Sequence, residues 1–404
     1  MNDSSALQGA PLVADFEAMT TDPHGYYRKY RPLTPVLQNG QNFYVLRARD
    51  VFPMQKNPKM QQIEGWMMKF RGYPEEGHMW RLFSNTVLMS NGKVHARRRA
   101  PAVDAFSRRM IAKLREHIRL EARRLAEALP RGVDFDFLEH FASPLPGRVI
   151  AFVVGLDPDL WQRFATLVYK MTQGLAPPFP ADKWEEIEAA AGEMLGFVEQ
   201  AIAARRAAPQ DDFLTAYIAA ADKTGAMDAE ELLIQIVGLL LAGSDTTRAG
   251  LAVQQGILLE ERSRWEAVLA DRSLMSAAIS ESLRLEPPVG GSPRMVVEDV
   301  DVGGVTIPAG SAVDLLSISA MRDPEIYDRP DDFDMHRTGV PTFHPVFGGG
   351  VHRCLGEQLA LAELEEGMAA ILDIAPTIRL VGKRAVPRGF TAVREMFPLI
   401  VHID

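Results

Sequence analysis

The stretch Phe347–Gly356 reads Phe-Gly-Gly-Gly-Val-His-Arg-Cys-Leu-Gly and contains Cys354, the only cysteine among the 404 residues. Its consecutive glycines permit a tight loop that exposes backbone amides. Amides that point toward a sulfur stabilise its thiolate, which is the form of cysteine that binds iron. A helix-forming run starts at Glu357, and the positive end of that helix would also favour a thiolate. The stretch therefore predicts a thiolate ligand where a loop meets a helix.

Cys354 also has two other interpretations. A lone intracellular cysteine is most often a small buried apolar side chain. Zinc is a poor candidate, because His352 and Cys354 supply two ligands and no second cysteine helps to complete a tetrahedron. Taken alone, Cys354 favours the buried apolar interpretation, and only the pattern around it points to a ligand.

An acid and hydroxyl groups interrupt an apolar stretch at residues 242–247, which read Ala-Gly-Ser-Asp-Thr-Thr. Polar side chains inside a buried helix cost free energy unless something uses them. A threonine hydroxyl can also bond to the preceding turn and kink the helix. A kink is one interpretation. The other, which we favour, is an active-site groove served by Asp245 and Thr246.

The element that must position this pair is the longest predicted helix, which runs from Asp228 to about Glu260. Asp228 and Glu231 are typical of a capping box at a helix start. The run 232–242 is apolar on almost every side, which predicts a centrally buried helix.

Two pairs of charged residues have the spacing of one helix face. His95 and Arg99 stand four residues apart in a basic segment, most of which is typical of a solvated face. Glu281 and Arg284 stand three apart, a pair that would ordinarily lie at the surface and contribute little. The basic segment comprises Lys93, His95, Arg97, Arg98, Arg99, Arg108, Arg109, Lys113 and Arg115.

These motifs together resemble those of the cytochrome P-450 monooxygenases. Phe-Gly-x-Gly-x-His-x-Cys-x-Gly, the family's haem-ligand loop, is filled at every fixed position. Ala/Gly-Gly-x-Asp/Glu-Thr, the family's oxygen-activation motif, is complete at residues 242–246. His-x-x-x-Arg and Glu-x-x-Arg also occur, and the four motifs follow the family order over nearly the whole chain.

The resemblance implies one haem b, with Cys354 as the thiolate ligand of its iron. Asp245 would relay protons from solvent, because a hydroxyl supplies no net proton at neutral pH, and Thr246 would hydrogen-bond dioxygen or an adjacent water. The other haem-binding residues that it implies are Phe347 beside the sulfur, Gly356, and the propionate-binding His95, Arg99, Arg294 and His352.

The resemblance also changes the interpretation of the Glu281 and Arg284 pair. In the family this pair is buried and joined by a second arginine, whose place is taken here by Arg337. Met335 stands where the family often has proline before that arginine. The resemblance therefore implies a buried network of Glu281, Arg284 and Arg337.

The implied function is that of an enzyme that inserts one oxygen atom of O2 into a small or medium hydrophobic substrate, usually converting C–H to C–OH. Electrons would come from NAD(P)H through an acidic ferredoxin and its reductase, with the ferredoxin on a positive patch formed by the basic segment and Arg353. A peroxide-driven enzyme and a haem-based sensor or carrier are the alternatives. The intact pair Asp245 and Thr246 argues against both.

The implied fold is mainly α (α+β), a single helix-rich domain over residues 1–404 with a long central helix and a small β region. The chain is 47% hydrophobic with a net charge of −9, which allows a large core and argues against nucleic acid as a partner. One cysteine predicts a reducing setting. We find no signal peptide and no run of eighteen apolar residues. The expectation is a cytoplasmic monomer of the soluble bacterial type without a membrane anchor.

Other segments carry shorter predictions of local structure. Asn39-Gly40 predicts a hairpin over residues 34–47, and six methionines of residues 51–90 indicate either loose core or substrate contact. Further helices are predicted over 111–129, 138–156 and 183–207, strands over 296–316, 378–380 and 397–401, and a proline-rich loop that could act as a lid over 174–180. The substrate pocket is expected to draw on residues 66–89, 167–180, 239–246, 289–293 and 391–396.

Overall fold

The computed structural model describes residues 11–156, 158–175, 179–225, 227–339, 344–391 and 393–404. It is 58% helical with small β-sheets, which confirms the mainly α class. The chain divides into two compact units. Unit one comprises Met1–Gln62, Gly256–Cys354 and Arg384–Phe397, and unit two comprises Ile63–Gln255, Leu355–Lys383 and Pro398–Asp404.

Unit one contains a mixed sheet and a small hairpin. The sheet order is β1 (Leu12–Val13), β2 (Val36–Asn39), β3 (Asn42–Val45), β9 (Ala312–Leu315), β6 (Ser292–Val296) and β4 (Met60–Gln61). The separate hairpin pairs β7 (Val300–Val302) with β8 (Val305–Ile307), within the range 296–316 over which the sequence predicted strands.

The predicted first hairpin is present as the antiparallel pair β2 and β3, in which Asn39 lies opposite Asn42. Its loop is therefore Gly40-Gln41, one residue later than the Asn-Gly signal suggested. Gly40 has a φ of 59°, which a glycine at the first central turn position adopts without strain.

Buried aliphatic side chains fill the interior of unit one, among them Val36, Val45 and Val296. Met54 and Met60 belong to the same cluster, so for these two methionines the core interpretation is the right one. The helices of this unit are α1 (Phe16–Thr21), α2 (Pro23–Tyr30), α3 (Ala48–Met54), α12 (Arg262–Ala270), α13 (Met275–Leu285) and α14 (Ser317–Ala320).

Unit two is mostly helical and confirms the helices predicted over residues 111–129 and 183–207. The helix predicted over residues 138–156 is instead a π-helical turn, Leu138–Ala142, followed by an α-helix, Pro144–Val153. It also has a small sheet in the order β10 (Arg379–Leu380), β11 (Ile400–His402), β5 (Asp134–Asp136). Its helices are α4 (Gly77–Asn85), α5 (Gly92–Ala105), α6 (Arg108–Glu127), α7 (Pro144–Val153), α8 (Trp161–Gln173), α9 (Trp184–Ala207), α10 (Phe213–Thr224), α15 (Glu357–Ile374) and most of α11 (Ala229–Glu260).

Helix α11 is the long helix that the sequence predicted, and Asp228 caps it by accepting a hydrogen bond of 2.7 Å from the amide of Glu231. By length and composition this helix could cross a membrane, yet 61% of its apolar window is buried in the fold. A core helix has the same composition. The capping box is only half formed, because the Glu231 carboxylate turns instead to Arg97 and Arg98.

Three helices of unit two meet at Gly367 on α15. A Cβ atom built there would lie 2.9 Å from Leu251 of α11 and 3.3 Å from Leu145 of α7. Such short distances leave no room for a larger side chain. Gly367 therefore permits the close packing of α15 on the central helix.

Glu231 provides a pH-dependent contribution to the stability of unit two. Hydrogen bonds from Arg97 and then Arg98 lower its pKa from 4.5 to about 2, although burial opposes them. A lowered carboxyl pKa stabilises the fold fully above the unfolded value and loses that effect as the pH falls toward about 2. Glu231→Gln should therefore lower the free energy of unfolding at pH 7 by on the order of 3 kcal/mol, since each pKa unit is worth about 1.4 kcal/mol.

Urea unfolding at a series of pH values measures this effect. The difference between Glu231→Gln and wild type should shrink as the pH falls below 4.5. Glu230→Gln is the matched control, because the neighbouring Glu230 pairs with Arg81 while both side chains are more than a third exposed. A control loss of up to about 1 kcal/mol is expected. Equal losses in the two variants would contradict the prediction.

Candidate functional site

The cysteine loop is closed by its own backbone. The amide of Cys354 donates to the Phe347 carbonyl at 2.8 Å, and the Arg353 amide donates to Gly350 at 3.2 Å. Gly348 and Gly350 have φ angles of 70° and 65°, in the left-handed region that favours glycine. The Cys354 side chain is exposed, so the loop presents its sulfur outward rather than burying it as an apolar group.

The glycines of the loop also permit a close approach to the end of α3. A Cβ atom on Gly350 would lie 3.0 Å from the Gln55 carbonyl oxygen, and one on Gly349 would lie 3.1 Å from the Gln55 side chain. The predicted tight loop is therefore held against a neighbouring segment within unit one.

A histidine that sequence analysis missed fixes the start of this loop. His344 Nε2 lies 2.9 Å from the Ser280 carbonyl oxygen on α13, and its Nδ1 accepts a hydrogen bond of 3.2 Å from the Val346 amide. His344 belongs to no short motif, so only its place before Phe347 could have pointed to it. It anchors the loop to the helix that also carries Glu281.

Arg294 on β6 is a buried cation, with 5% of its surface exposed. Its Nη1 donates to two neutral acceptors, Gln62 Oε1 at 3.2 Å and Pro293 O at 2.8 Å. Burial lowers its pKa to about 10, although the charge of Asp314 opposes this effect. Among the residues that the structure describes, no carboxylate accepts a hydrogen bond from this buried guanidinium. Such a cation favours an anionic ligand, and a haem propionate fits that requirement.

The other predicted haem residues are distributed over both units. His352 is half-buried in the short turn Gly350–His352 of unit one. In unit two, Gly356 precedes α15 and accepts the amide of Ala360 at 2.8 Å. His95 and Arg99 lie one turn apart on α5, where burial and then Arg99 lower the pKa of His95. That shift favours a neutral imidazole at pH 7.

Only part of the basic segment is exposed, so the positive patch that the sequence predicted does not include all of its residues. Arg98 is 7% exposed and donates to Glu231, to Ser90 at 2.7 Å and to Asn85 at 3.2 Å. Arg97 also binds Glu231, and Arg353 donates to the Gly348 carbonyl. The prediction of Arg98 as a surface residue was wrong, because its guanidinium joins three segments of unit two.

On α11, the hydroxyls of the predicted groove bond to their own helix. Thr246 Oγ1 donates to the Ala242 carbonyl at 2.7 Å, and Ser244 Oγ donates to Leu240 at 3.0 Å. This is the back-bonding that the sequence predicted for a threonine, but the helix runs unbroken from Ala229 to Glu260. A Cβ on Gly243 would meet Ile150 of α7 at 2.9 Å, so glycine permits tight packing there.

Asp245 has a partner that sequence analysis missed. Arg248 donates to Asp245 Oδ1 from Nε at 2.8 Å and from Nη2 at 2.6 Å. The signal was available, because residues three apart share a helix face. Both residues line a cavity of about 400 Å³ in unit two, together with Ser143, Gln162 and Tyr169.

The structure brings together the three residues of the implied charge network. Glu281 Oε1 accepts from Arg284 Nη2 at 2.8 Å and from Arg337 Nε at 3.0 Å, and its Oε2 accepts from Arg284 Nε at 2.8 Å. All three side chains are at most 7% exposed. Arg284 also donates to the carbonyls of Met321 and Pro330, so the network ties α13 to the segment that follows α14.

The segment 66–89, expected near the substrate, is held within unit two by contacts that the sequence did not reveal. Glu188 on α9 accepts from the amides of His78 at 2.6 Å and Met79 at 3.1 Å, and so caps α4. Met68 and Met79 are buried, whereas Trp66 is 49% exposed. Residues 176–178 of the proline-rich loop lie outside the described residues.

Comparisons with known proteins agree on one family. The chain matches the model of the family described as Cytochrome P450 over residues 158–373. It is 35% identical over 405 residues to the plant-inducible cytochrome P450-pinF1 of Rhizobium radiobacter, covering 100% of this chain and 96% of that protein. It is 28% identical over 362 residues to linalool 8-monooxygenase of Pseudomonas putida, covering 85% and 86%.

Solved structures agree with the sequence relatives. The structure of the ligand-free P450 monooxygenase TamI is similar with a TM-score of 0.82 and 29% identity, covering 98% of this chain and 95% of that one. Within the described ranges, no group of three or more His, Cys, Asp or Glu side chains could hold a metal ion.

The buried network of Glu281 generates a stability prediction. Arg284→Ala removes two of the three hydrogen bonds that arginines donate to the buried Glu281 carboxylate, which should cost roughly 3–5 kcal/mol. Little folded haem protein should then be recovered. Haem content and thermal unfolding of the purified variant are the measurements. The control is Arg262→Ala, which removes an exposed arginine paired with Glu266 at i,i+4. Wild-type haem content and melting temperature in Arg284→Ala would show that the network contributes little.

Proposed function

Because the chain belongs to the cytochrome P450 family, we propose that its haem-thiolate chemistry inserts one oxygen atom of O2 into a small or medium hydrophobic molecule, most often at a C–H bond. The haem, when bound, uses two electrons and two protons to reduce one oxygen atom to water while the other enters the substrate. The observation that carries the proposal is the loop of Cys354. It holds the only cysteine of the chain and presents that sulfur outward.

Cys354 is the proposed thiolate ligand because no other residue of this chain can supply one. The loop glycines and the hydrogen bond from the Cys354 amide to Phe347 fix the backbone on which the sulfur stands. As a thiolate, Cys354 would supply electron density to a bound haem, and that donation would favour cleavage of an O–O bond. We assign to Phe347 the role of shielding the sulfur, and to Gly356 that of opening the following helix.

The propionate groups of a haem require hydrogen-bond donors, charged or neutral, and four residues are proposed to bind them. Arg294 has the strongest support, because its buried guanidinium meets neutral acceptors. His352 is proposed for the same role in unit one, and His95 and Arg99 in unit two. Hydrogen bonds between these donors and a carboxylate would be charge-assisted and short where the donor is charged.

Proton delivery is assigned to Asp245 and Thr246 on α11. A hydroxyl cannot supply a net proton at neutral pH, so a titrating neighbour is needed. Asp245 lines the 400 Å³ cavity of unit two and so has space for water beside its carboxylate. We therefore propose that Asp245 takes up protons from this water. Thr246, one residue further along the helix, would orient the group that receives them.

The substrate class follows from the family and from one relative. Linalool, which the Pseudomonas putida relative oxidises according to its name, fits the expectation of a hydrophobic substrate. We further propose that residues 1–404 act as one haem-binding domain, since the first relative covers the whole chain. A cytoplasmic monomer without a membrane anchor is expected, and nucleic acid is not expected as a partner.

The proposed electron donor is an acidic ferredoxin, itself reduced by an NAD(P)H-dependent reductase. Because Arg97 and Arg98 bind Glu231 inside unit two, the docking cations have to be sought among exposed residues such as Lys93 and Arg109. Attraction between such a patch and an acidic protein would speed association and weaken at high salt. If a reduced ferredoxin fails to reduce the haem at every salt concentration tested, this assignment is wrong.

The ligand assignment predicts a spectrum. The reduced, carbon monoxide-bound protein should absorb at the red-shifted position typical of a haem thiolate, and Cys354→His should abolish that band. The Thr246→Ala variant, which leaves the cysteine loop intact, is the control and should keep the band. A red-shifted band in Cys354→His would mean that the sulfur is not the ligand.

The proton assignment predicts two different defects. Asp245→Asn keeps the shape of the side chain but removes its titrating proton, so turnover should fall by about 10²–10⁴. Thr246→Ala should still consume electrons, but more of them should emerge as hydrogen peroxide and fewer as hydroxylated product. The measurement is product formed per NAD(P)H consumed, with a reconstituted ferredoxin chain and any substrate that shifts the haem spectrum.

The carbon monoxide spectrum is the control for both variants, because neither change touches the cysteine loop. It should stay as in wild type. Wild-type rate and coupling in both variants would show that Asp245 and Thr246 are only part of the packing of α11.

A further inference from the structure

Arg248 binds Asp245 in an unequal way. Its Nε and Nη2 atoms both donate to Oδ1, at 2.8 and 2.6 Å. In the usual forked pair of arginine and carboxylate, each oxygen receives one N–H group. Here Oδ2 has no hydrogen bond to any residue in the described part of the chain. The carboxylate therefore has one occupied oxygen and one available oxygen.

The pair lies half-buried at the wall of the 400 Å³ cavity, with 13% of the Asp245 and 22% of the Arg248 side chain exposed. Residues from α7 and α8 form the rest of the wall, and Tyr169 on α8 is 59% exposed at its rim. The cavity is large enough for several waters. Water can therefore reach the carboxylate from the side of α8.

Few titratable groups compete for Asp245. Among the residues that line the cavity, Asp245 and Arg248 are the charged ones and Tyr169 is the other group that titrates. Arg148 on the neighbouring α7 lies 3.1 Å from Asp159 and 3.7 Å from Glu121, so its charge is already paired. On the cavity wall, Arg248 is accordingly the one cation available to this carboxylate.

We propose that Arg248 is the positioning residue of the proton relay, holding Oδ1 so that Oδ2 is the oxygen that exchanges protons with water in the cavity. The proposal rests on the proposed relay role of Asp245. A proton from water binds Oδ2 and makes the carboxyl neutral. The proton then leaves Oδ2 toward the group that Thr246 orients to receive it. This step restores the carboxylate that pairs with Arg248.

This arrangement has two physical consequences. Release of the proton from Oδ2 restores the ion pair with the Arg248 guanidinium, and the carboxylate is then ready for the next proton. Two hydrogen bonds to one oxygen also restrict rotation of the carboxylate, since both would have to break before Oδ1 and Oδ2 could exchange. The position of the transferring oxygen is thus fixed by the same residue that restores its charge.

Three variants separate position from charge. Arg248→Gln removes the charge, Arg248→Lys keeps the charge but not the fork of two donors, and Arg206→Gln removes an exposed arginine paired with Asp222 on unit two. In Arg248→Gln, product formation should fall by about 10-fold to 100-fold. The upper limit is the loss that a mispositioned catalytic group causes. Product formation should fall less in Arg248→Lys, and should be unchanged in the Arg206→Gln control.

A second readout does not depend on turnover. The ¹³C NMR signal of the Asp245 carboxyl, assigned by its loss in Asp245→Asn, reports the hydrogen bonds of that group at one fixed pH. Because two Arg248 donors bind Oδ1, Arg248→Gln should move this signal, and Arg248→Lys should move it less because lysine keeps a charged donor. Arg206→Gln should leave the signal at its wild-type position.

A double variant tests whether Arg248 acts through Asp245. If it does, the double variant Asp245→Asn/Arg248→Gln should turn over at the same rate as Asp245→Asn alone. The effects of two residues that act together in one step are not additive. The carbon monoxide spectrum and the melting temperature of every variant check that it is folded.

The outcomes distinguish the two levels of the proposal. A large loss in Asp245→Asn, together with a wild-type rate and a wild-type carboxyl signal in either folded Arg248 variant, would overturn the role of Arg248 and leave the relay intact. If Arg248→Gln does not fold, wild-type turnover in Arg248→Lys overturns the positioning role, because that variant lacks the fork. Unchanged turnover in Asp245→Asn would instead overturn the proposed function of Asp245 itself.

Discussion

A charged side chain that leaves water has to meet an opposite charge, and this requirement shapes the interior of both units. In unit one, Glu286 is 2% exposed and lies 2.7 Å from Arg394 and 3.0 Å from His24. Burial alone would raise its pKa, but these neighbours hold the pKa well below its usual range. In the same way, Glu281 of unit one and Glu231 of unit two each accept hydrogen bonds from two arginines. The buried carboxylates thus act as fixed points to which several segments are tied.

Two candidate sites have an incomplete set of partners. Arg294 is buried, yet it donates to neutral oxygens. Asp245 has a cation, yet that cation engages only one of its oxygens. A half-satisfied buried group costs free energy, so an anionic ligand at Arg294 and water at Asp245 would complete each set. The pattern alone does not mark a site, because the buried Arg31 also donates to neutral oxygens and the buried Glu363 has an unpartnered carboxyl oxygen.

The sequence predicted the features that depend on local rules. The capped start of α11, the loop glycines before Cys354 and the hairpin near Gly40 follow from propensity and turn chemistry. It could not predict that Arg98 turns inward to Glu231, because the two residues lie 133 positions apart and a charged run is usually solvated. Nor could it assign Met54 and Met60 to a sheet core, since methionine fits many environments. Arg248 was within reach by helical spacing, but an i,i+3 ion pair is commonly a surface feature.

The back-bonding of Thr246 limits what this residue can do chemically. A hydroxyl has one donor and two acceptor lone pairs, and the Thr246 donor is directed at the Ala242 carbonyl at 2.7 Å. In this arrangement the oxygen can accept a hydrogen bond but cannot donate a second one. Thr246 is thereby suited to hold a water or a protonated group in place, while the proton itself has to come from a residue that titrates. The adjacent Asp245 is such a residue, so the hydrogen bond from Thr246 to Ala242 divides the work between the two side chains.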